Sequence, residues 1–352
     1  MHGGGVGVDE VMAPARVLVL GAGSIGSFVG GKLAAAGADV TFVGRQRVLD
    51  EISAAGLRLT DLDGGDVTVA GAAVRVSTTP EDVGSADLVL VTVKSAATAA
   101  AVRDLDGKIR PGTVVLSLQN GIGNDKVIRE VLPTCTVLAG MVMFNVVHHS
   151  DGRFHRGTEG GLAVQDDPAL AQFTKVFARA GLALRRYPDL LPVQWAKLLL
   201  NLNNPINALS GRALREELSD RDFRRCLALT QREALTAMRK ARIRPARLTP
   251  LPPGWMARLL TVPDRIFRRV AATVLAIDPE ARSSMADDLE LGRKTEISWL
   301  CGEIVSLGEM VRLPTPVNQR LIELIVAAEQ GGRRDWTGPE LLGQLRSAAG
   351  RS

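Results

Sequence analysis

The stretch WAKLLLNLNNPINALSG, residues 195 to 211, sets one lysine and several asparagines in an otherwise apolar run. On an α-helix turning about 100° per residue, Lys197, Asn201 and Asn204 fall within about 60° of one face, while Asn203 points away. Amides on an apolar helix cost free energy unless they are hydrogen-bonded, so they serve either a ligand or a neighbouring helix. A lysine ammonium withdrawn from water has a lowered pKa and can hand its proton to a developing alkoxide, the role of a general acid. Pro205 cannot donate to the carbonyl of Asn201 and crowds it, so the helix should kink there and free backbone acceptors at the same spot.

A second polar cluster lies in ARSSMADDLELGRKTEISWL, residues 281 to 300. Ser284 and Asp288 share a helix face at i and i+4, but Glu296 would lie about 18 Å beyond Ser284 on an unbroken helix. One small substrate could not touch both. If both act, the chain must break between them, with Gly292 as the stop signal and Thr295 as a cap for a new helix. The competing reading is a solvated acidic face with Glu290 paired to Lys294.

A third constellation is RVLVLGAGSIGSFVGGKL, residues 16 to 33. Gly21, Gly23 and Gly26 stand in GxGxxG spacing between an apolar strand and a helix of small residues, the context of a dinucleotide site rather than of an ordinary glycine turn. Gly21 permits the tight turn, Gly23 removes a Cβ where a pyrophosphate must approach, and Gly26 lets the helix pack on the sheet. The backbone from Gly21 through Ala22, Gly23, Ser24 and Ile25 to Gly26 then offers free N–H groups to phosphates. An acid at the end of the second strand would hold a free ribose 2′-hydroxyl, yet TFVGR ends instead in Arg45, with Arg47 following, and Asp39 stands at the wrong end. A guanidinium at that place favours a 2′-phosphate, hence NADP over NAD.

These sites need scaffolds, and the 352 residues suffice for two domains. From residue 16 to about 145, apolar runs such as ADLVLVTVK and GTVVLSLQNG alternate with helical stretches, the pattern of a mostly parallel sheet covered on both faces. Thr60 to Thr79 breaks the rhythm with a hairpin signal, and a further strand pair is expected across Asp151 and Gly152. Beyond about Leu190 the reading is helical: 191 to 210, 215 to 241, 255 to 277, 283 to 309 with a break, and 316 to 330. The expected fold class is α/β: a Rossmann-type doubly wound sheet at residues 16–188 and an all-helical substrate domain at 189–330. Residues 1–15 read as a mobile leader and 331–352 as a loosely held tail.

Composition narrows the function classes. Hydrophobic residues make up 46% of the chain, but no apolar run reaches the roughly 18 residues needed to span a bilayer. Cys135, Cys226 and Cys301 lie far apart without a CxxC pair, which argues against disulfides and zinc and fits a reducing cytoplasm. The formal charge of +5 includes a dense patch from Arg239 to Arg247, but a nucleic-acid surface would want stacking aromatics beside it. A solvated basic face, or attraction for anionic small molecules, suits it better. His148, His149 and His155 lack metal-ligand support and read as surface or interface residues. Trp299 and Cys301 could face a core or a second copy, so a homodimer stays open.

The motifs GAGSIG, VTVKS, LQNGIGN, WAKLLLN and SSMADDLELGRKTEI, in this order and spacing, resemble those of the ketopantoate reductases, over residues 16 to 330. The resemblance implies an NADPH-dependent reductase of a small anionic 2-keto acid in pantothenate and coenzyme A synthesis, with its site between the two domains. It makes Lys197 the general acid, with Glu296 binding the substrate hydroxyl and helping to set the state of Lys197. Ser284 would hold the substrate carboxylate, Asn201 would contact its hydroxyl, and Asn120 would lie between cofactor and substrate. Lys94 would sit near the cofactor, Arg45 at the 2′-phosphate, and Asp288 near the site in a structural role. Two positions depart from the family pattern. The asparagine expected before proline comes early, as Asn204 with Pro205, and Ala281 stands where a substrate-binding asparagine is common. The other readings are a relative reducing a different branched 2-keto acid, and an NADP-binding regulatory protein without turnover.

Overall fold

The computed structural model describes residues 13–149, 152–270 and 281–350. Most of the expected leader, part of the helix expected at 255–277, and Asp151 fall outside them.

The first half alternates strands and helices. Its strands are β1 (Arg16–Leu20), β2 (Asp39–Val43), β3 (Leu57–Asp61), β4 (Asp66–Val69), β5 (Arg75–Ser77), β6 (Leu88–Val91), β7 (Val114–Ser117), β8 (Thr136–Val142), β9 (Val146–His148), β10 (Arg153–Arg156), β11 (Leu162–Gln165) and β12 (Leu184–Tyr187). Between them run α1 (Ser24–Ala35), α2 (Gln46–Ala55), α3 (Thr98–Arg103), α4 (Asn124–Val131) and α5 (Thr174–Arg179). Eight strands form one sheet in the order β12-β11-β8-β7-β6-β1-β2-β5. All its pairings are parallel except β11 against β8. Strands β5-β2-β1-β6-β7-β8 reproduce the doubly wound dinucleotide-binding order, whose switch point falls between β1 and β6. Val17 to Leu20, Leu88 to Val91 and Val114 to Ser117 are buried throughout, which is why their sequences lack polar alternation.

A second sheet, β4-β3-β10-β9, is built from the two expected strand pairs, joined by parallel pairing of β10 with β3. Helix α1 is sandwiched between the sheets. A Cβ on Gly30 would lie 2.5 Å from the Phe42 ring of the large sheet, and one on Gly31 would lie 3.0 Å from Leu59 of the small one. A helix covered on both sides must be apolar all round and small where it is pinched.

The second half is helical: α6 (Leu191–Asn201), α7 (Asn204–Ser210), α8 (Leu214–Ser219), α9 (Arg221–Lys240), α10 (Pro253–Leu259), α11 (Asp264–Val270), α12 (Ser284–Glu290), α13 (Cys301–Met310), α14 (Pro316–Glu329) and α15 (Gly338–Ala349). It has its own core, including Leu199, Phe223, Cys301, Leu321 and Leu341. Cys301 is fully buried there, so it faces the core rather than a second copy.

The expected loose tail at 331–352 is a correction. Residues 338–349 form α15, which opens with a capping box between Thr337 and Glu340 and buries Leu341, Leu342 and Leu345. Those leucines complete the core of the helical half. Gly338 fits closely against Asp220 and Asp222 at the start of α9, where a Cβ would meet Asp222 at 3.0 Å.

Candidate functional site in the interdomain cleft

The glycine turn sits at the switch point of the large sheet. Gly21 has φ +114°, a conformation that side chains disfavour, and a Cβ there would lie 2.7 Å from the Val93 amide nitrogen at the end of β6. A Cβ on Gly26 would lie 2.1 Å from the Gly21 carbonyl oxygen, so helix and turn can meet only without it. Gly23 differs: a Cβ there would meet nothing within 4 Å. It also caps α1 without a side-chain hydrogen bond. Open space above uncapped N–H groups is what a pyrophosphate requires, so Gly21, Ala22, Gly23, Ser24, Ile25 and Gly26 fit a dinucleotide.

The end of β2 lies against this turn, with Gly44 packed on Ala22. Arg45 and Arg47 follow, exposed and without a described side-chain partner. Asp39, at the other end of the strand, is paired with Arg75 at 2.7 Å. Among the described residues, no carboxylate directly follows this end of β2.

Lys197 lies on α6, half-buried, between the buried Ala196 and Leu198. Its ammonium makes no hydrogen bond or ion pair with another described residue, and burial alone lowers its pKa from 10.5 to about 8. One turn on, the Asn201 amide donates across the cleft to Asn120 Oδ1 at 3.4 Å. Asn120 belongs to the loop after β7, where its carbonyl accepts from Ser95 Oγ at 2.9 Å and from Asn124 Nδ2 at 2.8 Å. Ser95 in turn donates its backbone N–H to Glu296 Oε1 at 3.0 Å. A chain of hydrogen bonds thus joins Asn201, Asn120, Ser95 and Glu296. Lys197 and Glu296 themselves are not hydrogen-bonded, so the lowered lysine pKa owes nothing to that carboxylate.

The helix containing Lys197 does break beside Pro205. Helix α6 ends at Asn201, and α7 restarts at Asn204 with the proline in its first turn, where no N–H is needed. Asn203 turns inward and donates to Glu217 Oε2 at 2.9 Å. Glu217 is fully buried on α8, and its carboxyl is pushed up to about 8 by burial, against the hydrogen bond from Asn203. Asn207 accepts from the Ser283 backbone N–H at 2.9 Å. Ser283 caps α12 and donates its hydroxyl to the Asn204 carbonyl at 3.2 Å. That contact sets the start of α12 against the start of α7 through Ser283 and the Asn204 backbone, with Ser284 exposed at the first position of α12.

The expected break before Glu296 is also present. Helix α12 ends at Glu290, Gly292 takes φ +61°, and the Thr295 hydroxyl accepts from the Ile297 N–H at the start of a short 3₁₀ turn. Glu290 and Lys294 do not pair with each other. Glu290 holds Arg282 at 2.7 Å, and Lys294 holds Glu329 at 2.8 Å.

Lys94 stands at the end of β6, but its ammonium is engaged across the cleft, with Asp288 at 2.6 Å and the Lys294 carbonyl at 2.9 Å. Burial still raises the Asp288 carboxyl, with Lys94 acting in the opposite direction. Lys94 and Ser95, adjacent in sequence, thus grip both sides of the Gly292 bend.

Sequence reasoning did not single out Ser95, Ser283 or the Asn203–Glu217 pair. Nor did it find the buried cluster of Gln119, Thr98 and Asn124 behind Asn120, where Gln119 donates to Thr98 at 2.7 Å and Thr98 to Asn124 at 3.1 Å. Its signal was present: LQNGIGN places two asparagines and a glutamine directly after a buried strand. The three described histidines have no metal-binding company, and no group of three or more candidate ligands occurs among the described residues. No described helix is long and apolar enough to cross a membrane.

Comparison with known proteins follows this division of the chain. Residues 17–168 match the family described as Ketopantoate reductase PanE/ApbA, and residues 189–329 match its C-terminal counterpart. A 2-dehydropantoate 2-reductase of Halobacterium salinarum is 32% identical over 325 residues, spanning 90% of this chain and 100% of that protein. Among solved structures, a PanE/ApbA family ketopantoate reductase from Ralstonia eutropha has a TM-score of 0.76 at 29% identity, covering 90% of this chain and 99% of its own. A D-mandelate dehydrogenase solved with NADH and anilino(oxo)acetate has a TM-score of 0.72 at 20% identity, over 90% of this chain and 99% of its own, a likeness of fold.

Proposed function

The chain belongs to the ketopantoate reductase family of oxidoreductases, and from that premise we propose that it reduces 2-dehydropantoate to pantoate with NADPH. The observation that carries this reading is Lys197: an unpartnered ammonium, lowered to about 8, one turn from an amide that reaches across the cleft.

The Gly21 to Gly26 turn and Arg45 would hold NADPH, which when bound would supply the hydride for the keto carbon. The protein supplies the rest. Lys197 Nζ gives a proton to the keto oxygen as its charge develops, and a partly desolvated ammonium near neutral pKa does this efficiently. Asn201 orients the substrate hydroxyl, and Asn120 holds the border between cofactor and substrate. Ser284, exposed at the start of α12, receives the substrate carboxylate, and Asn204, at the start of α7, lines the same side. Glu296, fixed by the Ser95 amide, keeps one carboxylate oxygen for the substrate hydroxyl. Lys94 acts from the second rank, through Asp288, by holding the two domains at cofactor distance. The place of this reaction is pantothenate synthesis in the cytoplasm.

One observation favours weighing other acids. Ala281 offers no amide, and the early Pro205 moves Asn204 by one position, so the pocket has lost or displaced a polar contact. An unmatched group on a buried ligand costs about tenfold or more in affinity. Steady-state NADPH oxidation over a panel of branched 2-keto acids tests the reading. Ketopantoate should give the highest kcat/KM, and a higher value for another acid would move the assignment to that acid.

A further inference from the structure

We propose that the groove between α9 and α15 binds a small phosphorylated anion, at a site distinct from the cleft. Arg221, Arg225, Leu229 and Arg232 recur at spacings of three and four along α9 and so share one face. With Thr261 and, from α15, Leu342 and Arg346, they line a cavity of about 290 Å³ that includes no residue of the cleft. That volume is near the lower end of small-molecule sites.

The charges do not balance. Arg221 is oriented by the Thr261 carbonyl, which accepts from its Nε at 3.1 Å and its Nη2 at 3.0 Å. Arg225 is paired with Asp222 at 3.1 Å. The guanidinium groups of Arg232 and Arg346 make no hydrogen bond or ion pair with another described residue; their backbone carbonyls accept, from Thr236 and Gly350. Four guanidinium groups thus meet one carboxylate around a single concavity, leaving an excess near three positive charges. Planar guanidiniums recognise phosphate oxygens two at a time, so a ligand carrying several phosphate charges satisfies both geometry and charge. Leu229 and Leu342 give the floor an apolar portion. The lining contains no aromatic residue, which a single-stranded nucleic acid would use for stacking.

The test is calorimetric titration of inorganic tripolyphosphate into the full-length protein and into two variants. One is Arg232→Gln combined with Arg346→Gln; the other is Arg45→Gln. Wild type should bind one equivalent. The double variant should weaken that binding at least about tenfold, since two charge-assisted contacts are lost, and Arg45→Gln should leave it unchanged. Neither Arg232 nor Arg346 takes part in the cleft, so the double variant should keep its thermal midpoint and its basal reductase turnover, which also controls for folding. Absence of saturable binding to wild type would overturn the proposal. So would affinity lost in Arg45→Gln but kept in the double variant, which would assign the anion to the glycine turn, and so would several weak equivalents insensitive to either variant.

Discussion

Lys197, the proposed general acid, shows how little of a reactive group is visible in its own letter. What marked it in the sequence was its company, a run of leucines after it and amides at helical spacing, and what the fold adds is isolation. Because its pKa is lowered by burial, the charged form is disfavoured in the folded state. Below about pH 8 the lysine is charged in folded and unfolded chains alike, and the folded state carries the full desolvation cost. Between about 8 and 10.5 the unfolded chain binds more protons, so this residue's contribution to stability improves with rising pH. Lys197→Met should flatten that part of the stability curve, measured by urea unfolding at several pH values. Arg45 carries a separate prediction. Arg45→Gln should raise the KM for NADPH by about 10- to 100-fold, the worth of charge-assisted contacts to a phosphate, and change that for NADH little. Equal loss with both cofactors would remove the 2′-phosphate assignment.

At the scale of elements, local signals were legible where their causes are local. The doubly covered strands, the glycine turn, the stop before Pro205 and the bend at Gly292 all follow from residues within one turn of the event. What escaped notice depends on partners far along the chain. Parallel pairing of β10 with β3 joins residues 153–156 to 58–61, and no periodicity announces it. Helix α15 read as a tail because glycines flank it and its leucines find their place only against a helix more than a hundred residues earlier. The Asn203–Glu217 contact is of the same kind: the second of two glutamates in REEL looks like surface until α8 folds over the α6–α7 break. With its carboxyl raised to about 8, folded Glu217 holds its proton where the unfolded chain has lost it, above its ordinary 4.5. Its stability contribution is therefore present below about pH 4.5 and is lost as pH rises through about 8. Glu217→Gln, which keeps the shape without the ionisation, should raise the thermal midpoint at pH 8.5 relative to wild type and change it little at pH 4.5. A lower midpoint at both would show that the carboxylate itself is required.

For the whole molecule, polar contacts cross the cleft beside an apolar cluster in which Met141 and Ala163 of the first half meet Val193, Ala246 and Leu248 of the second. Lys94 to Asp288, Ser95 to Glu296 and Asn201 to Asn120 span it, while each half keeps a core of its own. Such a junction can hold a geometry without being permanent, which suits a site that must admit a dinucleotide and an acid in turn. Lys94→Met leaves the buried Asp288 carboxylate unpaired and should cost more stability than the double variant with Asp288→Asn, with a coupling of about 0.5–3 kcal/mol in a double-mutant cycle. Additive effects would mean that the pair does not fasten the halves together. The change from strands to helices after β12 was legible from where strand signals stop; the fasteners were not, since Lys94 and Asp288 lie about 200 positions apart and neither is unusual in its own segment.

The central claim is that the Lys197 ammonium delivers the proton, and NADPH oxidation with ketopantoate followed against pH, in wild type and Lys197→Ala, tests it most directly. Wild-type turnover should decline as pH rises above about 8, and Lys197→Ala should lose about 10²- to 10⁴-fold in turnover while binding NADPH as before. Near-normal turnover in Lys197→Ala, with the pH decline still in place, would contradict the account.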